Sequence, residues 1–493
     1  MISWNGRKVL IIGAARQGIA LARYLCRHGA QVTLTDQKTA DQLQNALHAL
    51  ADCAVQWALG GHPLDLLDAC DLLCPSGGVP LDLPLIVEAQ RRGIPLSNDS
   101  QIFLEAAPCR VIGITGSAGK TTTTTLVGRM AQAAARMRSG QAEGSDSWAS
   151  DVRLPASVYV GGNIGIPLIS AVDEMTADDL AVMEISSFQL DQMTRSPHIA
   201  AITNITPNHL DRHGTMAAYI AAKARILDFQ SSADAAVLGH EDSGAWGLKG
   251  QVKGRLISFG IRPFATAAAF APSQAGVYLR GELLCWLDDQ GETPLFSRQC
   301  IQLRGEHNLL NVLAACAIAA AAGLPPQAMQ AGVEGFSGVA HRLELVRHWR
   351  GADWYNDSIA TTPERVLAAM RSFDEPDGRQ RPLVLLIGGR DKHLPWNEFA
   401  DLARQRVDHL ILFGEMAELV EQALHQAEKE RGDSRPRYTL QRVARLQDAV
   451  QAAAEIVTAG DVVLLSPGGT SFDEFRDFEA RGEAYRKWVN ELS

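Results

Sequence analysis

The stretch Val111-Ile112-Gly113-Ile114-Thr115-Gly116-Ser117-Ala118-Gly119-Lys120-Thr121-Thr122 decides how the chain is read. A short apolar run ends in a Gly-rich turn, and the turn opens into a helix-forming stretch that continues to Met137. In such a turn the glycines let backbone N–H groups face phosphate oxygens, and the helix N-terminus adds partial positive charge. Lys120 then reaches the β/γ phosphates and the Thr121 hydroxyl binds Mg2+. The plainer alternative is an ordinary Gly-rich strand-to-helix turn. Gly-Lys-Thr in this strand-to-helix context argues for the phosphate cradle.

Outward from this stretch the same alternation repeats. VLIIG (9–13) precedes IALARYLCRHG (19–29) and QVTLTD (31–36). LAVMEIS, AAITNIT and AAVLGH follow the loop, and PLVLLIGG, HLILFG and DVVLLSP come later. Apolar runs of this length, bounded by Gly, Ser and Asp, read as buried parallel strands. With helices between them they predict an α/β fold with right-handed crossovers. Three sections are expected, at 1–107, 108–336 and 337–493. Two stretches read as additions: Ser139–Ser157, rich in Ser, Ala and Gly, and Val252–Gln302, with short β-like runs that suggest a small antiparallel element.

Composition narrows the function. The 493 residues carry 46 Lys+Arg against 56 Asp+Glu, a net charge of −10, so a nucleic-acid partner, which wants a basic face, is not expected. No apolar run approaches the roughly 20 residues a bilayer needs, so no membrane insertion is expected. The start MISWNGRKVLIIG lacks the long apolar core and small-residue cleavage site of a signal peptide, which points to the cytoplasm. Eight cysteines without paired zinc spacing predict reduced thiols.

Polar residues at strand ends are the remaining candidates. Gly13-Ala14-Ala15-Arg16-Gln17-Gly18 has Ala15 where a dinucleotide fingerprint wants glycine, and Asp36 ends the next strand. Nucleotide binding and a tight turn with a capping Asp36 both remain open from spacing alone. Glu184 closes an apolar run near the phosphate loop, which suits a Mg2+ ligand. His209 shares a loop with Asn208 and Asp211. Lys223, among Ala and Ile, reads by itself as an exposed helical charge. Asn356-Asp357-Ser358, Gly388–Lys392 and Ser466–Ser471 close three later strands and form one crevice rim suited to an anion.

Taken in order, GITGSAGKTTT, GGNIG, EISSFQLD, TNITPNHLDRH, YIAAKARI, GEHNLLN, AHRLE, NDS-ATT, GGRDK and LLSPGGTSFDEF resemble the Mur ligases of peptidoglycan synthesis nearly end to end. The resemblance implies a Rossmann-like N-terminal domain for the UDP substrate, a P-loop ATPase-like central domain, and a Rossmann-like C-terminal domain for the amino acid. It implies ATP-dependent addition of D-glutamate to UDP-N-acetylmuramoyl-L-alanine through an acyl phosphate, by a monomer. Alternatives of the same chemistry are L-glutamate or another amino acid, or a folylpolyglutamate-type ligase.

Carried over by motif, Arg16, Gln17, Asp36, Ser76, Gly78, Asn163 and His209 match UDP-substrate positions. Gly116, Ser117, Gly119, Lys120, Thr121, Thr122, Asn308, Arg342 and Asp357 match ATP positions. Thr121, Glu184, His209 and Lys223 match the Mg2+ positions, with Lys223 carbamylated, and Lys120, Glu184, His209 and Lys223 are the catalytic set. Thr361, Lys392, Ser471 and Phe478 match the glutamate pocket. Four features depart from the family pattern. Ile359 stands where a lysine is usual, so a cation near the phosphates or the glutamate is absent or supplied elsewhere. SPGGTS replaces SPACAS, Gly239 replaces an adenine-contacting Asn, and the 139–157 insertion is long.

Overall fold

A computed structural model describes residues 3–140, 153–207, 210–263, 274–303, 305–373, 380–392, 394–431 and 438–493. The chain divides into two compact units, Met1–Phe336 and Ser337–Ser493. Most of the 139–157 insertion lies outside the described residues, as does His209.

The first unit contains two sheets. In the first, β1 (Lys8–Ile12), β2 (Gln31–Asp36), β3 (Val55–Leu59) and β4 (Leu72–Pro75) run parallel in the order β3-β2-β1-β4. Val9–Ile12 are all buried, as a strand covered on both faces requires. The helix Arg16–Arg27 lays Leu21, Ala22 and Leu25 on this sheet and leaves its polar residues outward. Strand order reverses at β1, so a crevice opens beyond the carboxyl ends of β1 and β4.

The second sheet holds nine strands: β5 (Arg110–Thr115), β6 (Val158–Gly162), β7 (Leu180–Glu184), β8 (Ile199–Ile202), β9 (Ala235–Gly239), β10 (Arg255–Phe259), β11 (Gln274–Arg280), β12 (Leu283–Asp288) and β13 (Gly291–Ser297). The order is β13-β12-β11-β10-β9-β8-β5-β7-β6. The 252–302 segment is therefore no separate element: β10 pairs parallel to both β9 and β11, and only β11-β12-β13 are antiparallel. β5 lies between β7 and β8, again a point where strand order reverses. The helix Glu306–Ala321 is apolar on nearly every side and buries Leu309 to Ala320 almost completely.

The second unit has β14 (Glu344–Trp349), β15 (Ala352–Asn356), β16 (Leu383–Gly388), β17 (His409–Phe413), β18 (Thr439–Arg442) and β19 (Val462–Gly468) in the order β14-β15-β19-β16-β17-β18. All pairs are parallel except β14 with β15. Two apolar clusters cover its two faces, one around Leu385, Phe399 and Leu412, the other around Trp354, Leu386 and Tyr485.

Candidate active site

The phosphate loop is held by groups that sequence spacing does not reveal. Asn204, beyond β8, accepts from the Ala118 N–H at 2.9 Å and donates to the Ala118 carbonyl at 3.0 Å. Thr203 donates to the same carbonyl at 2.8 Å. Gly119 sits at φ +79°, a left-handed conformation, and a Cβ there would overlap the Asn311 side-chain oxygen. The glycine thus serves both the turn and a close approach. Ser117 is buried and its Oγ lies 3.0 Å from the Tyr219 hydroxyl.

Two lysines converge on one atom. Lys120 Nζ donates to the Gly116 carbonyl at 2.8 Å, and Lys223 Nζ donates to the same oxygen at 2.9 Å. Lys223 is 1% exposed, with its Nζ 4.7 Å from the Tyr219 ring centroid. Its sequence reading as an exposed charge is corrected by packing: the helix Met216–Asp228 turns that face inward. Burial, reinforced by the Lys120 charge, pulls the Lys223 amine down to about 7.

Glu184 pairs in register with Ile114, next to the loop's first residue. It is 2% exposed; Oε1 accepts from Asn163 Nδ2 at 3.0 Å, and Oε2 has no hydrogen-bond partner. A buried carboxylate oxygen left unpaired is costly unless a cation completes it. Among the described residues no group of three His, Cys, Asp or Glu forms a metal cluster. The free donor on the page, the Glu184 carboxylate oxygen, is a hard oxygen that fits Mg2+ and its retained waters rather than zinc. Thr122 is buried in the first helical turn. The loop after Glu184 is fixed by His213, whose Nε2 lies 2.9 Å from Ser187 Oγ and whose ring stacks on Phe188. His213 closes the TNITPNHLDRH motif, where its spacing gives no sign of this role.

Beside the loop lies a cavity of about 220 Å3 lined by Ala118, Gly119, Thr203, Asn204, Gly239, Glu241, Asp242, Phe259, His307, Leu310 and Asn311. Asn308 is next to it, accepting from Asn311 Nδ2 at 3.2 Å. A Cβ at Gly239 would sit 2.7 Å from the Thr203 carbonyl and 3.0 Å from the Phe259 ring. A larger side chain there would need both to move, so the small residue keeps this wall open.

At the first sheet's crevice, Asp36 is already engaged. Oδ2 accepts from the Ala14 N–H at 2.8 Å and Oδ1 from the Lys38 N–H at 2.9 Å. It fastens the Gly13–Gly18 loop. Ser76 Oγ donates to the Gly13 carbonyl at 3.3 Å, and Gln17 abuts Gly77. Arg16 and Gly78 are exposed at the rim.

In the second unit the backbone before β14 is strained. His341 and Leu343 take φ of +63° and +44°, uncommon for residues other than glycine. The His341 N–H donates to Glu344 Oε2 at 2.8 Å, its Nδ1 meets Asn356 Nδ2 at 3.0 Å, and the Leu343 N–H donates to Asp357 Oδ1 at 3.2 Å. These bonds hold Arg342 between the two strained residues. Asp357 is buried, accepts from Ser466 Oγ at 2.9 Å, and is pushed up to about 7 by burial. Lys392 Nζ donates to Thr361 Oγ1 at 3.2 Å, so those two expected pocket residues do meet. Ser471 is buried, and Phe478 opens the last helix with its carbonyl accepting from Ser358 Oγ at 2.8 Å. Arg481, fully buried, donates to the Ser358 carbonyl at 2.8 Å and the Gly469 carbonyl at 3.1 Å, tying two rim loops together. No motif marked it.

A phosphate cradle closing a parallel strand, with an open-valence carboxylate on the neighbouring strand, defines a nucleotide-using α/β enzyme. Three family models match in order: the Mur ligase MurD-like N-terminal domain over 7–98, the Mur ligase middle domain over 114–319, and the Mur ligase glutamate ligase domain over 341–469. A UDP-N-acetylmuramoylalanine–D-glutamate ligase of Symbiobacterium thermophilum is 38% identical over 99% of this chain and 98% of its own. One of Anaeromyxobacter dehalogenans is 38% identical over the same shares. A solved UDP-N-acetylmuramate-alanine ligase from Thermotoga maritima has the same fold, with TM-score 0.54 and 18% identity over 98% of this chain and 99% of that one. The chain belongs to the Mur ligase family.

Proposed function

We propose that this chain is an ATP-dependent amide ligase that joins D-glutamate to UDP-N-acetylmuramoyl-L-alanine in peptidoglycan precursor synthesis. The observation that carries the reading is the end-to-end likeness to ligases named for that reaction. The γ-phosphoryl group of ATP passes to the alanine carboxylate, giving an acyl phosphate and ADP. The glutamate amine attacks the acyl carbon, loses a proton, and phosphate leaves. Residues 1–107 take the UDP substrate, with Arg16, Gln17, Ser76 and Gly78 at the loop that Asp36 fastens. Residues 108–336 take ATP, and 337–493 the amino acid, at Thr361, Lys392, Ser471 and Phe478. The chain works as a cytoplasmic monomer.

Lys120 leaves the Gly116 carbonyl to meet the γ-phosphate, where positioning and charge lower the barrier. Thr121 and Glu184 would hold one Mg2+, and His209 with Lys223 a second, with Asn163 orienting both Glu184 and the substrate. The metal, when bound, neutralises charge on the phosphates. Lys223 suits carbamylation. Its lowered basicity leaves a share of neutral amine near pH 7, whose lone pair adds to CO2 with loss of a proton. The product is an anion, which removes the repulsion from Lys120 and supplies an oxygen ligand.

Phosphate release is measured with ATP, Mg2+, UDP-N-acetylmuramoyl-L-alanine and each glutamate enantiomer. Release that needs all substrates and favours D-glutamate is expected. Release independent of the UDP substrate sinks the reading, and a preference for L-glutamate corrects the stereochemistry alone.

A further inference from the structure

We infer that Arg365 is a substrate-carboxylate-binding residue of this protein, supplying the cation that position 359 lacks. The inference rests on the ligase reading above. Ile359 lies in the loop between β15 and the helix Pro363–Arg371, and it offers no charge. Arg365, six residues on, folds back over that loop: its Nη1 donates to the Ile359 carbonyl at 3.0 Å. The guanidinium therefore lies against the backbone of the position in question.

A guanidinium has five N–H donors. Among the described residues the Ile359 carbonyl is the one hydrogen-bond acceptor that the Arg365 guanidinium meets. Its surroundings are cationic. Arg342 and Lys392 are near enough for their charges to be felt: burial lowers the basicity of Arg365 and Arg342 lowers it further, and burial lowers that of Lys392 with Arg365 adding to it. Arg481, which also acts on Lys392, is committed to Ser358 and Gly469. Two carboxylates act on Arg365, Asp357 and the adjacent Glu364; Asp357 is buried, already accepts from Ser466 and the Leu343 N–H, and burial pushes it up to about 7. Cations that outnumber the carboxylates beside them repel one another until an anion joins them. Lys392 presents a point charge at Thr361, while Arg365 presents a planar fork that grips a carboxylate with two parallel bonds. Glutamate brings two carboxylates, one for each.

The full-length protein is compared as wild type, Arg365→Gln, Arg365→Met and the double variant Ile359→Lys/Arg365→Gln, using the glutamate enantiomer the wild type accepts. Arg365 lies at the surface with its guanidinium partly desolvated, and Met keeps its aliphatic stem, so the loss of charge can be read apart from folding. Arg365→Gln and Arg365→Met should each raise the KM for glutamate at least about tenfold, the loss of a charged hydrogen bond. The KM values for ATP and the UDP substrate should stay within about twofold. Restoring a lysine at 359 should bring the glutamate KM of Arg365→Gln back to within about threefold of wild type. An unchanged glutamate KM, an equal rise for ATP (a phosphate contact instead), or no recovery in the double variant overturns the assignment. Wild-type protein that releases no phosphate with either enantiomer removes the ligase reading and this one together. Normal wild type with an indifferent Arg365 removes this one alone.

Discussion

Lys223 shows how far a single side chain's chemistry depends on what surrounds it. In sequence it is a lysine in a helical run; in the folded unit its ammonium shares a carbonyl with Lys120 inside the protein. If it carries a carbamate, Lys223→Ala should lose nearly all turnover and regain part of it when a small carboxylate is added to the assay. Lys223→Arg keeps the charge but cannot be carbamylated, so it should stay inactive; an active Arg variant would make the lysine a structural charge only. Asp99 is a second buried ionisable group, and it touches stability instead. It is 5% exposed, its Oδ1 has no partner, and burial raises it from 3.8 to about 6. A carboxyl that stays protonated in the folded state gives stability present below pH 4 and lost as pH rises from about 4 to about 6. The gap corresponds to about 3 kcal/mol. Asp99→Asn should therefore raise the urea midpoint at pH 8 and leave it nearly unchanged at pH 3.5. An equal gain at both pH values would show that ionisation is not the cause.

At the scale of elements, the central parallel strands are plain in the sequence, while β3, β4, β6, β14 and β18 are not. VLIIG, VIGIT, LAVMEIS, AAITNIT, AAVLGH, PLVLLIGG, HLILFG and DVVLLSP each contain a strand, because a run buried on both faces has to be apolar throughout. The turns between them were plain only where glycine marked them. Gly119→Ala tests one such turn: the new Cβ meets Asn311 and the φ of +79° is unsuited to alanine. We expect a loss of about 1–3 kcal/mol in urea unfolding and an ATP KM raised at least tenfold. A variant with unchanged ATP KM would mean the loop does not hold the nucleotide. His341 and Leu343 show the opposite case. Nothing in AHRLE announces a left-handed backbone at a histidine and a leucine; hydrogen bonds to Glu344, Asn356 and Asp357 impose it, and that pairing exists only in the fold.

At the scale of the whole molecule, the second unit carries its own core. Its sheet is covered on both faces by apolar clusters drawn entirely from residues after 340. Residues 337–493 expressed alone should fold, with near-UV circular dichroism and one cooperative thermal transition. A broad, non-cooperative melt with dye-binding apolar surface would show that this unit needs the first one. The first unit is expected to behave as one body despite its two sheets, since a single apolar cluster runs from Val9 and Leu25 through Ile102 to Met183 and Ile202.

By itself the sequence determined the α/β alternation, the phosphate loop and the order of the motifs. Each of these is written in local patterns: apolar runs, glycines at turns, and a lysine at a helix start. Tertiary structure decided what no local pattern holds. It placed Lys223 inside the protein, left one oxygen of Glu184 unpaired, and set Asn204 across the phosphate loop. It also gave Arg481 to two rim loops and brought Arg365 onto Ile359. The reason is physical. A side chain's charge, partners and burial come from residues that can lie more than a hundred positions away in the chain, and only the packed fold brings those together.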